Sequence, residues 1–178
     1  MLFRSPAPEA CRLASGAGCN SLAISQLHGK GVPRDPRQAA VLQERACDLG
    51  HGEACAGLGH QVDNGIGVAR DQARAIRLYR RAVELGSGLG HNNLGYAYES
   101  GQGVQQDWRR ANELYEQGCR LGNGRACSNL GNNLVRGAGL PVNKARAVAL
   151  YEKSCALDTP EGCFELGLHH EPGGAARA

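Results

Sequence analysis

The chain has 178 residues, of which 42% are hydrophobic and 21% are charged, and its formal net charge is +3. This composition is typical of a folded domain and excludes an intrinsically disordered chain. No stretch approaches the roughly 18 apolar residues of a membrane-spanning helix, and the weak, dispersed positive charge does not favour nucleic acid as a partner. We therefore expect neither a membrane span nor a nucleic-acid partner.

A repeat of 36 residues organises the chain. Gly-x-Gly-Val segments begin at Gly29, Gly65 and Gly101, and a Gly-x-Gly-Leu segment begins at Gly137. The same step connects the leucines Leu22, Leu58, Leu94, Leu130 and Leu166 and the alanines Ala39, Ala75, Ala111 and Ala147. We predict one repeat domain over 1–178, with full units 19–54, 55–90, 91–126 and 127–162 and partial units 1–18 and 163–178.

Each unit begins with a helix that we call helix A. In the unit 91–126, Leu94, Gly95 and Tyr98 form one apolar stripe at helical spacing, and the glycine allows another helix to approach closely. The segment Gly101-x-Gly103 then ends the helix, because glycine readily adopts the positive φ angles of a tight reversal.

The second helix of the unit, helix B, is predicted to start after the N-cap Asp107. Ala111, Leu114 and Tyr115 form its apolar face, and it ends near Gly122. The tyrosines at core positions are Tyr79, Tyr98, Tyr115 and Tyr151. One helix pair cannot bury its own apolar faces, so we predict an all-α, right-handed α/α superhelical solenoid.

The cysteines form four pairs with a separation of eight residues, each where helix B meets the next helix A. These pairs are Cys11 and Cys19, Cys47 and Cys55, Cys119 and Cys127, and Cys155 and Cys163. The position of a fifth pair holds Val83 and His91, so both partners are replaced together, as a disulfide requires. We predict four disulfides and a more mobile junction at Val83 and His91. Zinc binding, which usually needs four ligands, and free buried thiols are the alternatives.

These motifs resemble the Sel1-like repeat, a relative of the tetratricopeptide repeat. The resemblance rests on Leu94-Gly95-x-x-Tyr98, Gly101-x-Gly103-Val104, Asp107 and Ala111-x-x-Leu114-Tyr115. The paired cysteines are similar to those of the cysteine-rich Sel1-like proteins first described from Helicobacter, and to those of a mitochondrial intermembrane-space assembly factor. The resemblance implies an oxidising compartment: periplasmic, secreted, or the intermembrane space. Residues 1–9 lack the apolar core of a signal peptide.

The concave face, lined by the A helices, is where we expect a ligand. Asn93 and Asn129 precede the stripe leucines, and the tetratricopeptide resemblance implies that such asparagines bind a peptide backbone. Arg125, Asn129 and Asn133 are four residues apart on one helix, and an arginine beside amides suits a peptide with a carboxylate. Tyr96 and His60 belong to the same predicted groove. The alternative interpretation is an ordinary solvated surface.

Function is therefore predicted as a protein-interaction scaffold that holds a protein or peptide partner and is itself a monomer. The alternative, implied by the cysteine-rich resemblance alone, is penicillin or peptidoglycan-fragment binding with weak β-lactamase activity. A serine β-lactamase needs Ser-x-x-Lys, and no serine has that spacing. The histidines His28, His51, His60 and His91 are dispersed over several units. We expect no catalytic residue, no metal and no cofactor.

Overall fold

The computed structural model describes Cys11 and residues 15–169 of the chain. Between 15 and 169, the regular secondary structure consists of nine α-helices. They are α1 (Gly16–His28), α2 (Pro36–Asp48), α3 (Gly52–Asn64), α4 (Gln72–Glu84), α5 (Gly88–Ser100), α6 (Trp108–Arg120), α7 (Gly124–Arg136), α8 (Lys144–Ala156) and α9 (Pro160–His169). Odd-numbered helices are the predicted A helices, and even-numbered ones are the B helices. The helical architecture predicted from the repeat is confirmed.

Helix ends are determined by residues that recur with the repeat. Helices α1, α3, α5 and α7 end at glycines in the left-handed region, with φ between 69 and 73°. The predicted N-caps of the B helices are confirmed, because each side chain accepts a hydrogen bond from the backbone N–H three residues later. These caps are Asp35, Asp71, Asp107 and Asn143. Each is worth about 1 kcal/mol of helix stability.

In three of the four units, helix A and helix B pack through a glycine and a tyrosine. A Cβ atom added to Gly95 would lie 2.8 Å from Tyr115 Cε1, which is too close for any side chain. Gly59 meets Tyr79 and Gly131 meets Tyr151 in the same way. Tyr79, Tyr98, Tyr115 and Tyr151 are all buried, so the predicted core role of these tyrosines is confirmed. The small residue on helix A thus makes room for the aromatic ring on helix B.

Successive units stack into a solenoid whose inner layer is made of A helices. Helix α5 contacts both α3 and α7 directly along the backbone. Successive B helices meet instead through long side chains, such as Arg74 Nη2 with Glu44 Oε1 at 2.7 Å and Arg146 Nη2 with Glu116 Oε1 at 2.9 Å. The layer with the closer spacing lies on the inside of the curve, so the A helices line the concave face.

Disulfides join α2 to α3, α6 to α7 and α8 to α9, and a fourth joins Cys11 to α1. The pairs are Cys11–Cys19, Cys47–Cys55, Cys119–Cys127 and Cys155–Cys163, with Cα–Cα distances of 4.3 to 4.7 Å. No cysteine is free. The disulfide interpretation is therefore confirmed, and the zinc and free-thiol interpretations are wrong.

The junction without cysteines keeps the same helical geometry. His91 is buried, and its Nδ1 lies 2.8 Å from the carbonyl oxygen of Ser87. Val83 packs against the main hydrophobic core. Ser87 also caps α5 through its side chain. The greater mobility predicted for this junction stays a prediction.

The helix pairs begin at Gly16, Gly52, Gly88 and Gly124, three residues before the unit borders placed at residues 19, 55, 91 and 127. The repeat length is 36 residues whether the first unit is counted from residue 16 or from residue 19. Of the predicted partial units, residues 1–10, 12–14 and 170–178 lie outside the described residues. In the part of the chain that the structure describes, no helix has the length and apolar character needed to cross a bilayer.

Candidate binding cleft on the concave face

A cleft of about 430 Å³ opens on the concave side of units two to four. Its walls come from α3, α5 and α7, with contributions from α4 and from the loops after α3 and α5. The lining residues are His60, Asp63, Asn64, Arg70, Tyr79, Asn92, Asn93, Tyr96, Ala97, Gln102 and Asn129. Four of the residues predicted for the groove thus lie together: His60, Asn93, Tyr96 and Asn129.

Three asparagines form a chain of amide hydrogen bonds across the cleft. Asn129 Nδ2 donates to Asn92 Oδ1 at 3.0 Å, and Asn92 Nδ2 donates to Asn93 Oδ1 at 3.2 Å. Asn92 is buried, whereas Asn93 and Asn129 are half-buried. Asn93 therefore keeps amide N–H donors for a ligand, and Asn129 keeps its carbonyl acceptor. The cleft therefore presents both amide donors and an amide acceptor to a ligand.

Two aromatic side chains lie at equivalent places in successive units. His60 on α3 and Tyr96 on α5 are separated by one repeat, and both are exposed. Tyr96 has 52% of its surface accessible. Rings with a polar edge and an apolar face are well suited to contact a ligand side chain or a peptide plane. The cleft thus combines amides with two accessible rings.

Two of the predicted groove residues do not line this cleft. Arg125 is exposed on α7, with its Nε 3.8 Å from Glu161 Oε1 of the next unit. Asn133 is 1% exposed, and its Nδ2 donates to Asn112 Oδ1 at 2.9 Å. Residues four apart on a helix are offset by about 40°, so Arg125 and Asn133 differ by about 80° around α7. That offset is large enough to place one in solvent and the other between helices.

Sequence reasoning missed Arg70 and Asp63, which also line the cleft. Arg70 Nε donates to the carbonyl oxygen of Asp63 at 2.9 Å and satisfies the end of α3. The repeat contains a signal for this position, because an arginine recurs at Arg34, 36 residues before Arg70. Arg34 makes the same contact with the carbonyl oxygen of Leu27. Since Arg70 and Asp63 carry opposite charges, the cleft has no strong preference for an anionic ligand.

Three buried tyrosines on the B helices have raised pKa values, and one of them, Tyr79, lines the cleft. Burial, followed by the negative charge of Asp63, raises the pKa of Tyr79 well above its usual value. Burial and Glu99 raise the pKa of Tyr115, whose hydroxyl donates to Glu99 Oε2 at 2.8 Å. Burial is also the main cause that raises the pKa of Tyr151 to about 12. These hydroxyls stay protonated at neutral pH and act as structural donors.

Within residues 15–169, His, Cys, Asp and Glu side chains form no group of three or more that could hold a metal ion. The eight cysteines are all oxidised. The cleft therefore offers hydrogen bonds and aromatic surface rather than a nucleophilic thiol. Disulfides are typical of proteins that fold in oxidising compartments, so the four present here indicate an extracytoplasmic environment.

The fold and the cleft together define the class of protein, a helical-repeat scaffold with a polar inner groove. Four successive stretches of the chain, residues 16–51, 52–87, 89–123 and 124–158, match the family model described as Sel1 repeat. The chain belongs to the Sel1 repeat family. The expected resemblance is thereby confirmed. The sequence has no match among curated proteins.

Solved structures of Sel1 repeat proteins are similar to this chain over most of its length. A Sel1 repeat protein from Oxalobacter formigenes superposes with a TM-score of 0.83 at 25% identity, covering 97% of this chain and 69% of that one. Cysteine-rich protein B of Helicobacter pylori gives 0.61 at 31% identity, covering 75% and 96%. A protective antigen of uropathogenic Escherichia coli gives 0.71 at 28% identity, covering 94% of this chain and 36% of that protein.

Proposed function

We propose that the chain is a protein-interaction scaffold that holds an extended segment of a partner protein in the concave cleft. The observation that carries the proposal is the amide chain through Asn129, Asn92 and Asn93, which leaves the Asn93 N–H donors and the Asn129 carbonyl acceptor for a ligand. Hydrogen bonds to a peptide backbone would provide affinity with little dependence on sequence. His60 and Tyr96 would contact the side chains of the bound segment.

The proposed ligand does not need a carboxylate. Arg125, which would have bound one, lies outside the cleft and faces Glu161. Inside the cleft, the charge of Arg70 is opposed by that of Asp63. The cleft is therefore proposed to recognise the backbone and apolar or aromatic side chains rather than charge.

The proposed setting is the periplasm or the extracellular space, where the disulfides would persist. Helicobacter pylori cysteine-rich protein B, the similar structure with 31% identity, supports this setting by its cysteine content alone. The scaffold is proposed to act as a monomer, because a solenoid can offer its concave face without a second subunit.

The test uses random dodecapeptides displayed on phage and selected on the purified, oxidised protein. Enriched peptides are synthesised and titrated by fluorescence polarisation against the wild type and the double variant Asn93→Ala/Asn129→Ala. Loss of two ligand hydrogen bonds should weaken binding by roughly ten-fold to a hundred-fold. The matched control is Gln38→Ala, which removes an exposed amide from α2, and it should bind like the wild type.

Two results would overturn the proposal. One is a selection in which no peptide is enriched over a protein-free surface. The other is a double variant that retains the wild-type affinity for every enriched peptide while its circular dichroism is unchanged. Turnover of a chromogenic β-lactam by the wild type, above that of serum albumin, would support the hydrolase alternative instead.

A further inference from the structure

The B helices form a second surface, on the convex side, where the spacing between units is wider. Arginine and glutamate side chains bridge that spacing in two places. Arg74 of α4 pairs with Glu44 of α2 at 2.7 Å, and Arg146 of α8 pairs with Glu116 of α6 at 2.9 Å. In both pairs the arginine follows the glutamate by 30 residues.

The contact between α4 and α6 has no such ion pair among the described residues. The residues at the equivalent positions are Arg80 and Arg110, which are again separated by 30 residues. Two arginines thus occupy the positions that hold one arginine and one glutamate in the contacts between α2 and α4 and between α6 and α8. Among the described residues, neither arginine forms a salt bridge with an acidic side chain.

The two arginines line one cavity of about 530 Å³. Its other lining residues are Tyr98, Gly103, Val104, Gln105, Gln106 and Asp107. The Arg110 guanidinium carbon lies 5.0 Å from the centre of the Tyr98 ring, which is a cation–π contact that orients the guanidinium.

Asp107 is the acidic residue of the lining, and it has a structural role. Its Oδ1 accepts the backbone N–H of Arg110 at 3.0 Å and caps α6. The lining therefore carries the charges of two arginines and one aspartate whose carboxylate is already engaged. An incoming carboxylate would meet two guanidinium donors, and each guanidinium can bind a carboxylate in a planar, bidentate way.

We propose that Arg80 and Arg110 form a binding site for a glutamate or aspartate side chain of an acidic segment in a partner protein. The partner's carboxylate would take the role that Glu44 and Glu116 have in the ion pairs between α2 and α4 and between α6 and α8. The site lies beside the segment that connects α5 and α6, and none of its lining residues lines the concave cleft. The scaffold thereby gains a second docking point, specific for acidic sequence.

The test titrates an acetylated, amidated hexaglutamate peptide by fluorescence polarisation at low ionic strength. The variant Arg80→Glu should form a pair with Arg110 like those at the neighbouring junctions, so it should fold with an unchanged or higher Tm and bind at least about tenfold more weakly. The matched control is Arg77→Glu, which makes the same charge change on an exposed residue of α4 outside the cavity. Its affinity should fall by less than about twofold.

Three results would overturn the proposal. In the first, the wild type fails to bind hexaglutamate at millimolar concentrations. In the second, Arg77→Glu and Arg80→Glu weaken binding equally, which would indicate diffuse electrostatic attraction. In the third, inorganic phosphate competes with the peptide more strongly than glutarate does, which would identify a phosphate site rather than a carboxylate site.

Discussion

The Cys119–Cys127 junction and the Val83–His91 junction join a B helix to the next A helix in the same way, yet only the first is covalent. In both, helix B ends at a leucine, a glycine with positive φ follows, and a polar residue caps the next helix. Capping and close packing therefore establish the geometry of the junction. The disulfide then adds stability to a turn that already has its shape.

Packing at the two junctions is complementary rather than identical. At the covalent junction, Gly118 faces Ala126, whereas at the other junction Ala82 faces Gly90. Each pair therefore has one glycine and one alanine, with the order reversed. At these two junctions the combined side-chain volume is therefore the same, although the glycine and the alanine exchange places.

The largest expected effect comes from removing the covalent link. The variant Cys119→Ala/Cys127→Ala should lose about 2 to 5 kcal/mol of unfolding free energy, because the link no longer restricts the unfolded chain. Urea unfolding followed by circular dichroism measures the loss. In excess reductant, the variant should match the wild type. An equal deficit with and without reductant would show that packing, and not the link, was lost.

The converse change should make the two junctions alike. The variant Val83→Cys/His91→Cys is expected to form a fifth disulfide and to gain roughly 2 to 3 kcal/mol. A thiol titration should find no free thiol before reduction and two more thiols than the wild type after it. Amide exchange in residues 84–91 should become slower. Exchange that is already as slow in the wild type as in residues 120–127 would contradict the predicted mobility of this junction.

A smaller effect is expected from exchanging the small residues. A Cβ atom on Gly90 would lie 2.5 Å from Ala82 Cβ, so Gly90→Ala should cost about 1 to 2 kcal/mol. The double variant Ala82→Gly/Gly90→Ala copies the order of Gly118 and Ala126 and should recover most of that loss. Thermal unfolding of the wild type, the single variant and the double variant measures these changes in stability. A double variant less stable than Gly90→Ala would refute the volume argument.

The smallest effect concerns the histidine that replaces a cysteine. His91 Nδ1 lies 2.8 Å from the Ser87 carbonyl oxygen, which also accepts the His91 backbone N–H at 3.0 Å. Because the carbonyl keeps that second partner, His91→Phe should cost only about 0.5 to 1 kcal/mol. Chemical unfolding at neutral pH gives the value. A loss above about 2 kcal/mol would indicate that the imidazole has a larger role.

Most of the fold could be predicted, because each local rule is repeated in register every 36 residues. The N-cap Asp107, the helix-ending Gly101 and the buried Tyr115 were all identified from spacing. The cleft was predicted less completely. His60, Asn93, Tyr96 and Asn129 lie together, but Arg125 and Asn133 do not join them. Helical spacing predicts which residues share a face, but not how far a neighbouring helix covers that face.

The repeat length, the helix ends, the core tyrosines and the cysteine pairs could all be predicted from the sequence, because they depend on short-range stereochemistry. The packing of the units against one another determines which polar residues reach solvent and which lie together across units. Asn129 with Asn92 and Arg80 with Arg110 lie on different helices. Their juxtaposition depends on the curvature of the stack, which closes the inner face around the amides and opens the outer face beside the arginines.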